Sequence, residues 1–147
     1  MAKETCVFCG QEVSDFVVKQ VFCGPVLQYA CKSCAKEVNE LDGAERCRRA
    51  LQRGLAVNAE RIQEHLDIME HAEEARPTCL RCGEKLRFGE MQELDNSPYR
   101  DGLLTSTFDV LPAYCTNCGK MELYSPQYIS KHKMLSYLVK IDTGVIK

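Results

Sequence analysis

Two stretches near the start of the chain, Phe16–Phe22 and Val26–Ala30, are rich in β-branched and aromatic residues and predict strands. Gly24-Pro25 between them predicts a turn. From Ala35 the spacing lengthens. Ala35, Val38 and Leu41 recur at helical intervals, so a helix is expected to run to about Arg53 and stop at Gly54. Asn58 then caps a second helix with Glu60 in its first turn and an apolar stripe of Ile62, Leu66 and Met69. Pro77, after Arg76, ends it. Two helices on a short glycine-containing link should pack antiparallel and supply the main apolar core. Beyond Pro77 the pattern returns to strands, over 85–94 and 103–113, with Gly89 a candidate bulge. Asn96-Ser97-Pro98 and Asp101-Gly102 mark a loop at the far tip, which carries Tyr99 and Arg100. Met121-Glu122-Leu123-Tyr124 supplies a third strand. Ser125-Pro126 reads as a helix start, and Tyr128, Ile129, His132, Leu135 and Leu138 continue on one helical face.

Four Cys-x-x-Cys pairs punctuate these elements: Cys6/Cys9, Cys31/Cys34, Cys79/Cys82 and Cys115/Cys118. Two residues between sulfurs let a tight turn present both to one ion, and two such pairs complete the closed tetrahedral set of structural zinc. Taken in order, Cys6, Cys9, Cys31 and Cys34 form one site, and Cys79, Cys82, Cys115 and Cys118 form the other. Three of the pairs run into glycine (Gly10, Gly83, Gly119), as in iron-binding rubredoxin knuckles, but ligand softness and the sparse aromatics favour zinc over iron. A thioredoxin-like redox site needs a single pair opening a helix in a βαβ setting. Cys23 and Cys47 are left over. Cys47 sits among Arg46, Arg48 and Arg49, which would lower its pKa, yet packed or simply exposed thiols are expected at both positions.

A knuckle, a hairpin and a second knuckle opening a helix make a treble clef, and the helix N-terminus stabilises anionic thiolates. Cys6-Val7-Phe8-Cys9-Gly10, the Gly24-Pro25 turn and Tyr29-Ala30-Cys31-Lys32-Ser33-Cys34 resemble the N-terminal zinc-binding domain of the ClpX unfoldase, over residues 5–50. That resemblance implies zinc on four cysteines, dimerisation, and docking of substrates or adaptors. Cys34-Ala35-Lys36-Glu37 is also similar to the first finger of the McsA stress adaptors. Residues 78–125, with Cys79-Leu80-Arg81-Cys82-Gly83, Cys115-Thr116-Asn117-Cys118-Gly119 and Lys120-Met121-Glu122-Leu123-Tyr124, resemble small bacterial zinc ribbons. Ribbons serve polymerases, ribosomes and protein adaptors alike.

The chain has 147 residues, with 19 Lys and Arg against 21 Asp and Glu, a near-balance that argues against blanketing phosphate backbones. Ligating thiols are deprotonated, so two zinc centres would take the formal charge from -2 to about -6. The first 76 residues are net acidic, and the basic tail of Lys131, Lys133, Lys140 and Lys147 carries one acid, Asp142. Arg46, Arg49 and Arg53 recur at helical spacing, but Asp42 and Glu45 lie four residues before Arg46 and Arg49, so intrahelical pairs on a solvated face are expected. No G-x-x-x-x-G-K-[S/T] phosphate cradle occurs, and His65, His71 and His132 match no zincin, deaminase or nucleophile-base signature. The start, Met-Ala-Lys-Glu-Thr, shows no apolar export run, so many cysteines here suggest metal thiolates in a reducing, cytoplasmic setting.

These readings converge on an α+β chain of small zinc-stabilised modules. Residues 1–53 form a treble clef running into a helix, 54–77 the second helix of a hairpin and a linker, 78–125 a three-stranded antiparallel ribbon, and 126–147 a basic amphipathic tail with a short helix. The expected function is a non-enzymatic protein-interaction or adaptor protein with two structural Zn2+ ions and no catalytic residues. Its partner would be a protease, an unfoldase, or transcription or translation machinery, with homodimerisation a further option and no membrane contact. The alternative is a nucleic-acid-, polymerase- or ribosome-associated factor acting through the ribbon and tail.

Overall fold

In the computed structural model, which describes residues 3–95 and 107–146, the segment before Cys31 forms two small antiparallel hairpins. Strands β1 (Lys3–Thr5) and β2 (Glu12–Ser14) pair with Lys3 opposite Ser14. Strands β3 (Lys19–Cys23) and β4 (Val26–Ala30) pair with Cys23 opposite Val26. Phe16 and Val17, expected in the strand, lie before it and are exposed. The turn needs Gly24 twice over. Its φ is +61°, and a Cβ there would stand 2.4 Å from Cδ2 of His65. Alternation along the hairpin puts Val21, Cys23, Val26, Gln28 and Ala30 inside.

The helix expected to run unbroken to Arg53 is two helices, α1 (Lys32–Asn39) and α2 (Gly43–Leu51). Side chains make the break. Asp42 Oδ1 accepts the Glu45 amide at 2.8 Å and starts a new helix. The Arg46 guanidinium gathers the carbonyls of Val38, Asn39 and Leu41 at the end of α1, and that of Phe22 in β3. Neither residue makes the intrahelical pair that its spacing suggested. Arg49 pairs instead with Glu37, and Arg48 bridges Glu45 and Glu70. Helix α3 (Ala59–His71) is entered through Asn58, whose φ of +52° is a left-handed conformation that asparagine tolerates. Just before it, fully buried Gln28 donates to Val57 O at 2.8 Å and accepts Val57 N at 2.9 Å. One side chain thus copies a strand pairing and holds the link to the hairpin. Ile62 and Leu66 complete a core with Val21, Val38, Cys47 and Ala50.

The chain divides into two compact units, Met1–Glu70 and His71–Lys147, each with its own apolar cluster rather than one helical-hairpin core. In the second unit a 3-10 turn over Ala72–Ala75 leads to Arg76, extended as a residue before proline must be. Four strands follow: β5 (Arg87–Phe88), β6 (Gln92–Asp95), β7 (Thr107–Tyr114) and β8 (Met121–Tyr124). β7 is central, with β5 and β6 along one edge and β8 along the other. The strand expected over 85–94 is interrupted after Phe88, and Pro112 of β7 lies opposite the gap, where Gly89 N donates to its carbonyl at 2.7 Å. Proline has no N–H to give to a ladder, and the gap removes the acceptor that would need one. The tip loop with Tyr99 and Arg100, and the start of the 103–113 strand, lie outside the described residues.

The tail is two helices, α4 (Pro126–Lys131) and α5 (Lys133–Asp142), parted at His132, whose backbone is extended (φ −112°, ψ 98°). Ile129, Leu135 and Leu138 pack with Leu86, Phe88, Leu111 and Ala113, while Tyr128 stays exposed against Tyr124 and His132. Asp142, a lone acid in a basic tail by sequence, accepts Arg76 Nη1 at 2.5 Å, Arg76 Nη2 at 3.1 Å and the Phe88 amide at 2.9 Å. Arg76 also donates to Leu86 O and pairs with Glu73. Both members of the Arg76–Asp142 pair are buried, and they tie the first and last segments of this unit together. No helix among the described residues is long and apolar enough to cross a membrane.

Candidate metal centres

Three of the four cysteine pairs sit in turns with the same backbone bonding. In the first, Cys6 N donates to Gln11 O (2.9 Å) and Gly10 N to Cys6 O (2.8 Å). In the second, Cys79 N donates to Glu84 O (2.7 Å) and Gly83 N to Cys79 O (2.8 Å). In the third, Cys115 N donates to Lys120 O (2.8 Å) and Gly119 N to Cys115 O (2.9 Å). The glycine needs a positive φ in each (+79°, +77°, +71°), which explains why glycine follows the second cysteine. In each knuckle the amide two residues beyond the second cysteine (Gln11, Glu84, Lys120) turns onto its sulfur. The fourth pair is built differently. Cys31 is the N-cap of α1, its sulfur accepting the Cys34 amide, and Cys34 lies in the first turn. A helix N-terminus offers free amides and a positive dipole end to anionic sulfur.

These turns bring the eight predicted sulfurs together in the two expected sets, Cys6/Cys9/Cys31/Cys34 and Cys79/Cys82/Cys115/Cys118. Within each set all four sulfurs lie within 4.8 Å of one another. Cys9 and Cys31 are 3.9 Å apart, Cys79 and Cys118 3.5 Å, and Cys82 and Cys115 3.4 Å. A disulfide would need about 2.05 Å. Four sulfurs about 2.3 Å from a shared tetrahedral ion stand roughly 3.8 Å apart, so the donor set fits zinc. Among the described residues no other cluster of His, Cys, Asp and Glu ligand atoms gathers in this way.

The electrostatics agree with a cation site. Burial pushes the Cys6 thiol up, but the amides of Cys31, Cys9 and Phe8 outweigh it and bring it to about 7. The Glu84 amide, helped by Cys115, brings Cys82 to about 6, and the Arg81 amide lowers Cys79. In the same clusters other sulfurs are driven up. Burial and the three neighbouring thiols raise Cys34. The Lys120 amide lowers Cys118, but desolvation and its neighbours carry it to about 11. Four thiolates this close repel, so some hold protons until a dication offsets the charge.

Around the third knuckle, Glu122 pairs with Lys120 at 3.3 Å and accepts the Tyr124 hydroxyl at 3.1 Å. The Lys-x-Glu-x-Tyr run is therefore a brace behind Cys115 and Cys118. The remaining cysteines stand apart from both clusters. Cys23 and Cys47 are fully buried in the first core, where Cys23 donates to Arg46 O at 3.9 Å. Burial and then Cys47 push the Cys23 thiol to about 12. Burial raises Cys47 as well, outweighing Arg46 and Arg48. Both are neutral core thiols, and the lowering that the neighbouring arginines suggested for Cys47 does not occur. His71 contacts Glu74 and His132 packs edge-on against Tyr128.

The fold and sites define a mixed helix and small-sheet protein with two four-cysteine clusters compatible with zinc-binding modules. No family model matches the chain, and neither a curated protein nor a solved structure matches it.

Proposed function

We propose that the protein is a zinc-binding, non-enzymatic adaptor built on a treble clef and a zinc ribbon, with one structural zinc ion in each. The observation that carries this reading is the closed donor set: four sulfurs within 4.8 Å in each cluster, aimed inward by backbone bonds. Bound zinc would crosslink two chain segments per site and offset half of the thiolate charge, leaving no coordination position for a substrate water. The treble clef is supported by the order of knuckle, hairpin β3–β4 and helix-opening pair. The ribbon is supported by two glycine knuckles flanking antiparallel strands. With the metal spent on architecture, the function falls to surfaces, and the charge on two Zn(Cys)4 centres favours a protein partner.

Native mass spectrometry of the protein purified without chelator tests the metal. Two zinc ions per chain and a colourless solution are expected, and a red, iron-loaded protein would overturn it. Crosslinking in the native host with zinc retained tests the adaptor reading. Recovery of a protease or unfoldase subunit that is lost on disrupting the treble clef is the expected result.

A second reading has one supporting observation. Asp142, the only acid of the tail, is taken up by Arg76, so exposed Lys131 and Lys140 keep their positive field. A nucleic-acid- or ribosome-associated factor would use them. Salt-sensitive RNA or DNA binding lost on Lys131→Glu with Lys140→Glu would favour that reading.

A further inference from the structure

The four-stranded sheet has two faces with different fates. Leu111 and Ala113 of β7, with Phe88 and Tyr124 beside them, face the core with α4 and α5. The alternate residues Phe108, Val110, Pro112 and Tyr114, with Met121 and Leu123 paired beside them on β8, form the other face. This second face contains a groove of about 390 Å³. Gly89 shapes its floor, because a Cβ there would meet Pro112 Cγ at 3.1 Å and Tyr114 Cε1 at 3.6 Å. Phe108, Tyr114, Met121 and Leu123 are 48%, 42%, 62% and 56% exposed, and no described element of this unit covers them.

We infer that this face is a homodimer interface, on which a second copy of the chain packs sheet against sheet. Charge and area both favour that occupant. Among the described residues, Glu90 is the one charged residue lining the groove and no basic residue lines it, which disfavours nucleic acid and matches the charge-poor centre of a dimer. Four large side chains about half exposed offer roughly 400 Å² of apolar surface, taking ~200 Å² for each when fully exposed. That is the size of the largest apolar patch on a typical soluble monomer, a patch that is often functional. Doubled across a two-fold axis and divided by the ~65% apolar share of homodimer interfaces, it corresponds to roughly 1,200 Å² buried, the lower bound for a specific complex. A two-fold axis near Val110, with the two β7 strands antiparallel, sets each Phe108 opposite the other copy's Pro112 and beside its groove.

The inference does not rest on the adaptor reading or on the identity of the metal. The test is sedimentation velocity on the full, zinc-loaded chain at increasing concentration up to about 100 μM. A species of twice 16.7 kDa is expected to grow with concentration. Leu123→Glu and Met121→Glu, both exposed and so tolerated by the fold, should return it to one chain with unchanged zinc content and melting. Phe16→Glu, on the exposed turn of the first unit, should leave the dimer intact. A photo-crosslinking residue at Phe108 should link to Pro112, Tyr114 or Leu123 of a second chain. A zinc-loaded wild type that remains one chain at the highest concentration overturns the inference and leaves the metal reading standing. So does a dimer that survives both glutamates, or one that Phe16→Glu dissolves. A face that captures a different protein while the wild type stays monomeric also overturns it.

Discussion

Removing the Asp142 carboxylate tests whether the second unit is closed by its buried ion pair. Asp142→Ala takes away the acceptor of four hydrogen bonds: two from Arg76, one from the Phe88 amide and one from the half-exposed Arg87 at 3.3 Å. Arg76, with no side-chain exposure, keeps only Leu86 O and the half-exposed Glu73. Breaking one side of a buried pair costs about 3–5 kcal/mol, because the surviving charge stays desolvated, and an unpaired buried amide adds about 1–3. A domain of this size holds about 5–15 kcal/mol in all and loses about 4–8 °C per kcal/mol, so the melting transition of this unit should fall by at least ~12 °C. The assay is thermal melting of the zinc-loaded protein, followed by a probe in the second unit. The pH dependence supplies a sign. Burial alone would raise Asp142, but Arg76 and the Phe88 amide hold it below the usual carboxylate value. A depressed carboxylate stabilises above its unfolded pKa, near 3.9, and loses that stability as pH falls through the lower folded value. The deficit of the variant should therefore be flat from pH 6 to 8 and shrink only in acid, below about pH 4. A melting shift under ~4 °C, or a deficit that changes around neutrality, would refute the reasoning.

Three further outcomes are expected. Cys31→Ser with Cys34→Ser should remove one of two bound zinc ions and unfold the first unit by circular dichroism; a first unit still folded without that ion would remove the zinc assignment there. Gly24→Ala forces a Cβ against the His65 ring at a φ of +61° and should destabilise the first unit by about 1–3 kcal/mol in urea titration, with Gly54→Ala, which meets no atom within 4 Å, costing less. Arg46→Lys keeps the charge but loses the fork that reaches four carbonyls, and should cost about 2 kcal/mol in the same titration, nearly as much as Arg46→Met.

The positions where sequence and structure part company share a physical cause. Short-range chemistry was legible. Two-residue cysteine spacing with a following glycine dictates a knuckle, and Gly24-Pro25 dictates a turn, because both depend on backbone conformations a few residues long. The same periodicity that marked a helix after Cys34 could not show that it stops at Asn39. That stop depends on Arg46 reaching carbonyls of another helix and of β3, contacts up to 24 residues distant. Asp42 was visible as an acid, and its spacing to Arg46 invited an ion pair, whereas the fold spends it as a cap. Pro112 in a central strand contradicts the usual placement of proline until the gap at Gly89 is seen across from it. Arg76 and Asp142 are 66 residues apart, and nothing local marks either as buried.

Those long-range polar contacts also change what the metal has to do. Modules of about 50 residues would lean on zinc almost entirely. The units Met1–Glu70 and His71–Lys147 are larger, and each recruits a late segment through buried polar bonds: Val57 onto Gln28 in the first, Asp142 onto Arg76 in the second. The sulfurs are nevertheless part of the packing, since Cys6 belongs to the first core and Cys79 and Cys115 to the second. Withdrawing the ion returns protons to the sulfurs and removes the crosslink between chain segments, loosening residues the apolar clusters share. Each unit should therefore lose its metal and its core packing in one transition rather than shedding a zinc knuckle from an intact remainder. Chelator titration followed simultaneously by zinc release and by amide exchange at Val21 and Leu86 reads this directly. Exchange at those amides that stays protected after zinc has left would show the cores to be independent of the sulfur clusters they adjoin.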